Sequence, residues 1–193
     1  MLNIHELSFS YGEKKILDRF SISVKAGEIV AVMGPSGCGK STLLHLIAGL
    51  KKPTCGEITC NADRISYAFQ EPRLFPWMTV EENLLAVLSS RDETARKQAE
   101  QALDTVSLSD AKALFPAELS GGMRTRASLA RALTYGGDLF LLDEPFSALD
   151  AALRRSLAER LRNEFKARGA TVILVTHDSE DASILADRTV RLS

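Results

Sequence analysis

Hydrophobic and polar positions along the chain change period several times, and each change marks an element. Phe20, Ile22 and Val24 alternate with polar neighbours, as in a half-exposed strand, and Ile4 to Phe9 repeats the pattern more weakly. These two segments predict an antiparallel N-terminal pair. Glu28 to Met33 is a short apolar run that stops at a Gly-rich turn, as a buried strand does. From Lys40 to Ala48, helical spacing of Leu43, Leu44, Ile47 and Ala48 takes over, and Gly49 is a stop signal. Short strands are expected around Gly56 to Thr59 and Ile65 to Phe69. Val80 to about Leu108 reads as helical and polar. Thr79 with Glu82 forms a capping-box pattern, and Glu93 and Lys97 stand at i, i+4. A helix over roughly Met123 to Leu133 follows Gly121-Gly122. Asp138 to Leu142 and Thr171 to Thr176 read as buried strands. Leu149 to Ala167 reads as a helix with Leu153, Leu157 and Leu161 on one face, Ser179 to Leu185 as a short helix, and Arg188 to Leu192 as a last strand.

Buried strands alternating with helices imply a mainly parallel sheet covered on both faces. Residues from about 71 to 119 interrupt that alternation with helical, polar sequence and read as a helical insertion. The 193 residues suffice for one domain with a sizeable core, 1–193. Charges are balanced, 24 Lys and Arg against 25 Asp and Glu, which gives no support to bulk binding of nucleic acid. Cys38, Cys55 and Cys60 have no metal-ligand spacing and read as reduced thiols. Neither a signal-peptide pattern nor an apolar run near the ~20 residues of a membrane span is present. Spanning helices, if the process needs them, must come from another chain.

The chemistry concentrates in Gly34-Pro35-Ser36-Gly37-Cys38-Gly39-Lys40-Ser41, which fits G-x-x-x-x-G-K-[ST] and is followed by Thr42 on the helix. Such a loop aims successive backbone N–H groups at a phosphate, and the helix behind it adds a positive dipole end. Lys40 supplies a full charge for the β and γ phosphates, and Ser41 a hydroxyl for Mg²⁺. Alone, the loop says only that a nucleotide binds; kinases, GTPases and ATPases all carry it. Leu139 to Leu142 followed by Asp143 and Glu144 places two acids at the end of a buried strand. Asp143 suits Mg²⁺, and Glu144 suits the orientation or deprotonation of attacking water. Taken singly, Gln70 reads as a strand-end polar residue, His177 as a capping or surface histidine, Ser120 as a helix N-cap, and Tyr11 as a packing or turn residue.

Together, in order, these residues resemble one family. The chain is similar to the nucleotide-binding subunits of ABC transporters along nearly its whole length. Ala68-Phe69-Gln70-Glu71 resembles the Q-loop, and Leu119-Ser120-Gly121-Gly122 the family signature. Leu139 to Pro145 resembles Walker B with its glutamate, Ser147-Ala148-Leu149-Asp150 the D-loop, and Thr176-His177-Asp178 the switch histidine. Tyr11 resembles the aromatic that stacks on adenine. The fold implied is an α/β P-loop NTPase with a mainly parallel core sheet, an N-terminal antiparallel β element and a helical insertion.

The resemblance implies a subunit that binds ATP and Mg²⁺ and hydrolyses ATP. It pairs head-to-tail with a second ATP-binding subunit so that Ser120, Gly121 and Gly122 of one cover the phosphates of the other. Glu144, His177 and Gln70 become the catalytic set, Ser41, Gln70 and Asp143 the metal set, and Asp150 a dimer contact. Arg124, Arg126 and Arg131 lie on the signature helix; they read by default as solvated-face residues, with steadying of nucleotide or pairing with acids as the alternatives. The partners implied are a transmembrane permease and, indirectly, a solute-binding protein. Nucleic acid is not among them. The location implied is peripheral, on the cytoplasmic face of the membrane. Leu74, Phe75 and Trp77 could form an apolar groove toward the permease. The wording around them resembles importers of the nitrate, sulfonate and taurine group. Two departures stand out. Met123 fills a signature position usually held by glutamine, and the chain stops soon after its last strand, with no regulatory extension. The rival readings are a nucleotide-gated assembly module without turnover, an ABC protein outside transport, and a small-molecule kinase.

Overall fold

The computed structural model describes residues 1–192. Its elements in chain order are β1 (Leu2–Tyr11), β2 (Lys14–Val24), β3 (Ile29–Met33), α1 (Lys40–Ile47), β4 (Cys55–Cys60) and β5 (Ile65–Ala68). Then come α2 (Val80–Leu85), α3 (Glu93–Thr105), α4 (Gly121–Tyr135), β6 (Leu139–Asp143), α5 (Ala151–Arg168), β7 (Thr171–Thr176), α6 (Ser179–Leu185) and β8 (Arg188–Arg191). Five strands pair in parallel in the order β5-β6-β7-β3-β8, and three pair antiparallel as β2-β1-β4. The N-terminal pair is as expected. The third member, β4, enters from beyond α1, pairing Ile4 with Ile58.

The continuous apolar strands are explained by the two cores they serve. Successive side chains of a strand point to opposite faces. Phe140 and Leu142 of β6, with Val172 and Leu174 of β7, therefore pack against the helices α2 to α6. Leu139, Leu141, Ile173 and Val175 face the other way, onto α1 and the antiparallel sheet. All eight are almost fully buried, and each contributes about 1.5–3 kcal/mol from lost water contact. The parallel sheet is thus sandwiched, and its strand ends are fixed from both sides.

Between β5 and α4 the helical stretch divides. α2 begins at Thr79, whose side chain accepts from the Glu82 backbone N–H at 3.2 Å while the Glu82 carboxylate accepts from the Thr79 backbone N–H at 2.8 Å. α3 begins at Asp92, and Glu93 and Lys97 pair at 2.9 Å. Two 3₁₀ turns, Ser109–Ala111 and Pro116–Glu118, lead into α4.

One expectation fails. Arg124 is exposed on α4 as predicted, but Arg126 and Arg131 are not a solvated face. Arg131 donates to the carbonyls of Arg73 (2.9 Å) and Pro72 (3.0 Å), and Arg126 donates to those of Val106 (3.2 Å) and Ser107 (2.5 Å). The two arginines staple the helical stretch onto α4. Burial lowers the pKa of both, and for Arg126 the Asp150 charge pulls the other way.

Candidate functional site

The carboxyl ends of β3, β7 and β6 lie side by side, since Met33 pairs with Thr176 and Asp143 with Val175. Ligands of open parallel sheets bind at such ends. The loop after β3 turns into α1 at Gly39, whose φ of 103° only glycine adopts readily. A Cβ there would also lie 2.7 Å from Ile16 Cγ2. The loop is closed internally: Lys40 Nζ donates to the carbonyls of Gly34 (2.8 Å) and Pro35 (3.1 Å), and the Cys38 N–H points to Pro35 O at 3.3 Å. Lys40 is buried, with its ammonium also 3.8 Å from Glu144 Oε1.

Beyond β6 stand the two acids. Asp143 is 2% exposed and accepts from Ser41 Oγ on Oδ1 at 3.0 Å. Its Oδ2 lies 3.5 Å from Tyr67 Oη. Burial is the main force on the Asp143 carboxyl and raises its pKa; Ser41 opposes that, and the neighbouring Glu144 charge adds to it. The same dry carboxylate pushes the Tyr67 hydroxyl up, after burial itself.

Glu144 has φ 48°, in the left-handed region, which costs a residue with a side chain about 1–2 kcal/mol. Strain of this kind persists where surrounding structure enforces it. Here the Glu144 N–H donates to Val175 O (3.0 Å), and its carbonyl accepts from Ser147 Oγ (3.1 Å). The kinked backbone aims the carboxylate sideways, where Oε2 stands 2.9 Å from His177 Nδ1 at the end of β7.

A cavity of about 370 Å³ opens over this group, lined by Tyr11, Ser36, Gly37, Gly39, Lys40, Ser41, Thr42, Gln70 and Glu144. Lys14 and Ile16 line it too, and nothing in the sequence pattern pointed to them. Tyr67 was equally invisible as a neighbour of Asp143. Tyr11 is half-exposed at the rim, edge-on to Phe9, with Lys51 Nζ 4.9 Å from its ring centre. Its hydroxyl pKa is lowered, chiefly by hydrogen bonding to Thr42.

Not every anticipated residue meets here. Gly34, Pro35 and Cys38 shape the loop from behind, without lining the cavity. Ser120 is exposed and caps α4, accepting from the Met123 N–H at 3.2 Å. Gly121 and Gly122 follow it, also away from the cavity. A Cβ on Gly122 would meet Ala148 O at 2.9 Å, so the signature turn packs directly on the loop after Glu144. Asp150 caps α5 by accepting from the Leu153 N–H at 3.0 Å. Met123 turns against the apolar core.

The comparisons with known proteins bear on this arrangement. A family model described as ABC transporter matches residues 17–147. The chain belongs to the ABC transporter family. Within that family it is an ATP-binding and ATP-hydrolysing subunit. It is 42% identical to the aliphatic sulfonates import ATP-binding protein SsuB of Bacillus licheniformis, covering 100% of this chain and 79% of that protein. It is 47% identical to the protein of the same description, SsuB 1, from Streptomyces avermitilis, covering 98% of this chain and 72% of that one. Among solved structures it is similar to a dimeric post-hydrolysis state of the ATP-binding cassette MJ0796 bound to ADP and Pi. The TM-score there is 0.91 at 31% identity, covering 100% of this chain and 94% of the other. The cavity over Lys40 is thus the feature of this ABC subunit whose chemistry needs explaining.

Proposed function

We propose that this subunit binds ATP with Mg²⁺ in the cavity above Lys40 and hydrolyses it to ADP and phosphate to drive solute import through a membrane permease. The observation that carries the reading is the convergence on one cavity of Lys40, Ser41 and Glu144, with Asp143 on the Ser41 hydroxyl and His177 on the Glu144 carboxylate. The triphosphate lies against the N–H groups at the start of α1, where the helix dipole and Lys40 offset its charge.

Ser41 Oγ and Asp143 Oδ1, 3.0 Å apart, are hard oxygen donors of the type Mg²⁺ takes, and Gln70 stands near enough to line the same cavity. Among the described residues no group of three or more His, Cys, Asp or Glu could hold a metal alone. The fit is therefore to an ion that also takes phosphate oxygens and water, as Mg²⁺ commonly does. When bound, it offsets charge on the transferring phosphoryl group.

The chain's own residues do the rest. Glu144 takes a proton from water as the water oxygen attacks the γ-phosphorus and the bond to the bridging oxygen breaks, leaving ADP and phosphate. His177 fixes the Glu144 carboxylate and reaches toward the γ-phosphate. Ser120, Gly121 and Gly122 do not line the cavity of their own chain, which supports a head-to-tail pair in which each chain completes the other's site, with Asp150 near the contact. The similar MJ0796 cassette is dimeric with ADP and Pi bound, in keeping with such a pair.

No helix among the described residues is long and apolar enough to cross a membrane. A permease supplies the path, and this subunit sits on it peripherally, at the cytoplasmic face. Trp77, 70% exposed, and Phe75, with ring centres 5.7 Å apart, offer an apolar surface for it. The names of the sulfonate-importing relatives support an importer of small organic oxoanions, with a solute-binding protein outside.

The test is phosphate release by the subunit assembled with its permease, in wild type and Glu144→Gln. The expected result is a rate reduced at least about 100-fold with ATP still bound. Full turnover in the variant would remove Glu144 from the reaction, and no turnover in the wild-type complex would favour a module that only binds nucleotide.

A further inference from the structure

His177 is 66% exposed on its side chain and has one hydrogen-bond partner of its own, Glu144. What fixes it is the backbone on either side. The Asp178 N–H donates to Thr176 Oγ1 at 3.0 Å, and the Thr176 hydroxyl also donates to buried Asp181 at 3.3 Å. Asp178 Oδ1 accepts from the Glu180 N–H at 2.8 Å and starts α6. Its other oxygen accepts from Arg154 Nη1 at 2.5 Å.

Arg154 comes from the first turn of α5. Its Nη2 donates to the carbonyl of Leu149 at 3.3 Å, in the loop on which Gly122 packs. Among the described residues its Nε is buried without a hydrogen-bond partner, and so is Asp181 Oδ1; the two stand 3.9 Å apart. That separation is about 1 Å longer than a charge-assisted hydrogen bond. Leaving both groups dry and unjoined is costly, so a small shift of α5 against α6 would be rewarded by a new bond. One guanidinium thus touches the loop behind the signature turn, the residue after the histidine, and a poised acid beneath both.

We propose that Arg154 is a positioning residue that transmits the placement of the Ser147–Asp150 loop to His177. The inference rests on the reading of His177 as part of the hydrolytic site. Arg154 does not line the ATP cavity and touches no reacting atom. It acts by holding Asp178, and closure of its Nε onto Asp181 draws the start of α6, with His177, along with the loop. A residue serving only to staple α5 to α6 would affect stability and would add its effect to that of any site variant.

The test is ATP hydrolysis by the subunit in complex with its permease, comparing Arg154→Gln, Arg154→Lys, His177→Ala and the Arg154→Gln/His177→Ala double variant. Nucleotide affinity and melting temperature are measured alongside. The expected result is a kcat at least tenfold lower in Arg154→Gln with KM for ATP within twofold of wild type, and no further loss when His177→Ala is already present. Arg154→Lys, which keeps the charge but not the fork of donors, should recover only part of the rate. Where Arg154→Gln folds poorly, Asp178→Asn cuts the same link from the other end and should show the same non-additivity. Multiplicative losses in the double variant, or an unchanged kcat in Arg154→Gln, would overturn the link while leaving the site reading intact. Normal turnover in His177→Ala would overturn the site reading and the link together.

Discussion

Asp181 is the acid most at odds with its surroundings. It is 4% exposed, and its pKa is pushed up to about 6 from an ordinary 3.8. Burial is the largest cause. Asp178 and, more weakly, Glu144 push the same way, while Arg154 and the Thr176 hydroxyl pull against them. The folded chain therefore holds this proton more tightly than the unfolded chain. Below pH 3.8 the acid is neutral in both states, and the preference contributes fully. As pH rises through 6 the carboxyl must ionise in a dry site, and that contribution is lost. At about 1.4 kcal/mol per pH unit, the gap corresponds to about 3 kcal/mol.

Asp181→Asn keeps an oxygen for Thr176 and cannot ionise. Its stability relative to wild type should thus climb by about 2.5 kcal/mol between about pH 4 and pH 7.5, or roughly 5–10 °C in melting temperature for a chain of this size. Thermal unfolding of both proteins across that range, without nucleotide, reads the difference, because titrating groups that do not interact with Asp181 cancel. Parallel stability curves would refute the reasoning. A variant that loses stability as pH rises would reverse its sign.

Three further outcomes follow from the same geometry. Lys40→Ala should weaken ATP binding at least about tenfold, because a buried cation facing the phosphates is removed; equilibrium titration with ATP measures it, and unchanged affinity would count against the loop assignment. Gly39→Ala forces a side chain to φ 103° and a contact of 2.7 Å with Ile16, so it should cost at least about 1–2 kcal/mol in denaturant unfolding and reduce nucleotide binding as well. Arg131→Ala leaves the carbonyls of Pro72 and Arg73 without their donor and should destabilise the fold by about 2–4 kcal/mol in the same assay; a loss below about 0.5 kcal/mol would mean water replaces the guanidinium freely.

Much of this fold is visible in local pattern. Glu28 to Met33 and Thr171 to Thr176 read as buried strands because both faces of each are apolar, and both turn out to serve two cores. Thr79 with Glu82 is legible for the same reason, since a capping box is a contact between near neighbours. The Gly34 to Ser41 loop is legible as a motif because its residues are contiguous. What sequence did not disclose depends on distant chain meeting distant chain. The pairing of β4 with β1 joins residues as far apart in the chain as Ile4 and Ile58 and has no local signal. Arg126 and Arg131 look like surface residues of a helix, because arginine is usually exposed, and only the fold brings backbone carbonyls to them. The left-handed backbone at Glu144 is likewise hidden, because glutamate carries no preference for it. It is the strands beside it that impose the kink which aims the carboxylate.

The proposed chemistry requires the phosphates and the metal to lie between the loop before α1 and the end of β6. The most direct measurement is a structure of the Glu144→Gln subunit with ATP and Mg²⁺. It should show the β and γ phosphates against the N–H groups of Gly37 through Ser41, Lys40 released from the Gly34 and Pro35 carbonyls toward them, and the ion between Ser41 Oγ and Asp143. A nucleotide held elsewhere, or an ion bound away from Ser41 and Asp143, would contradict it.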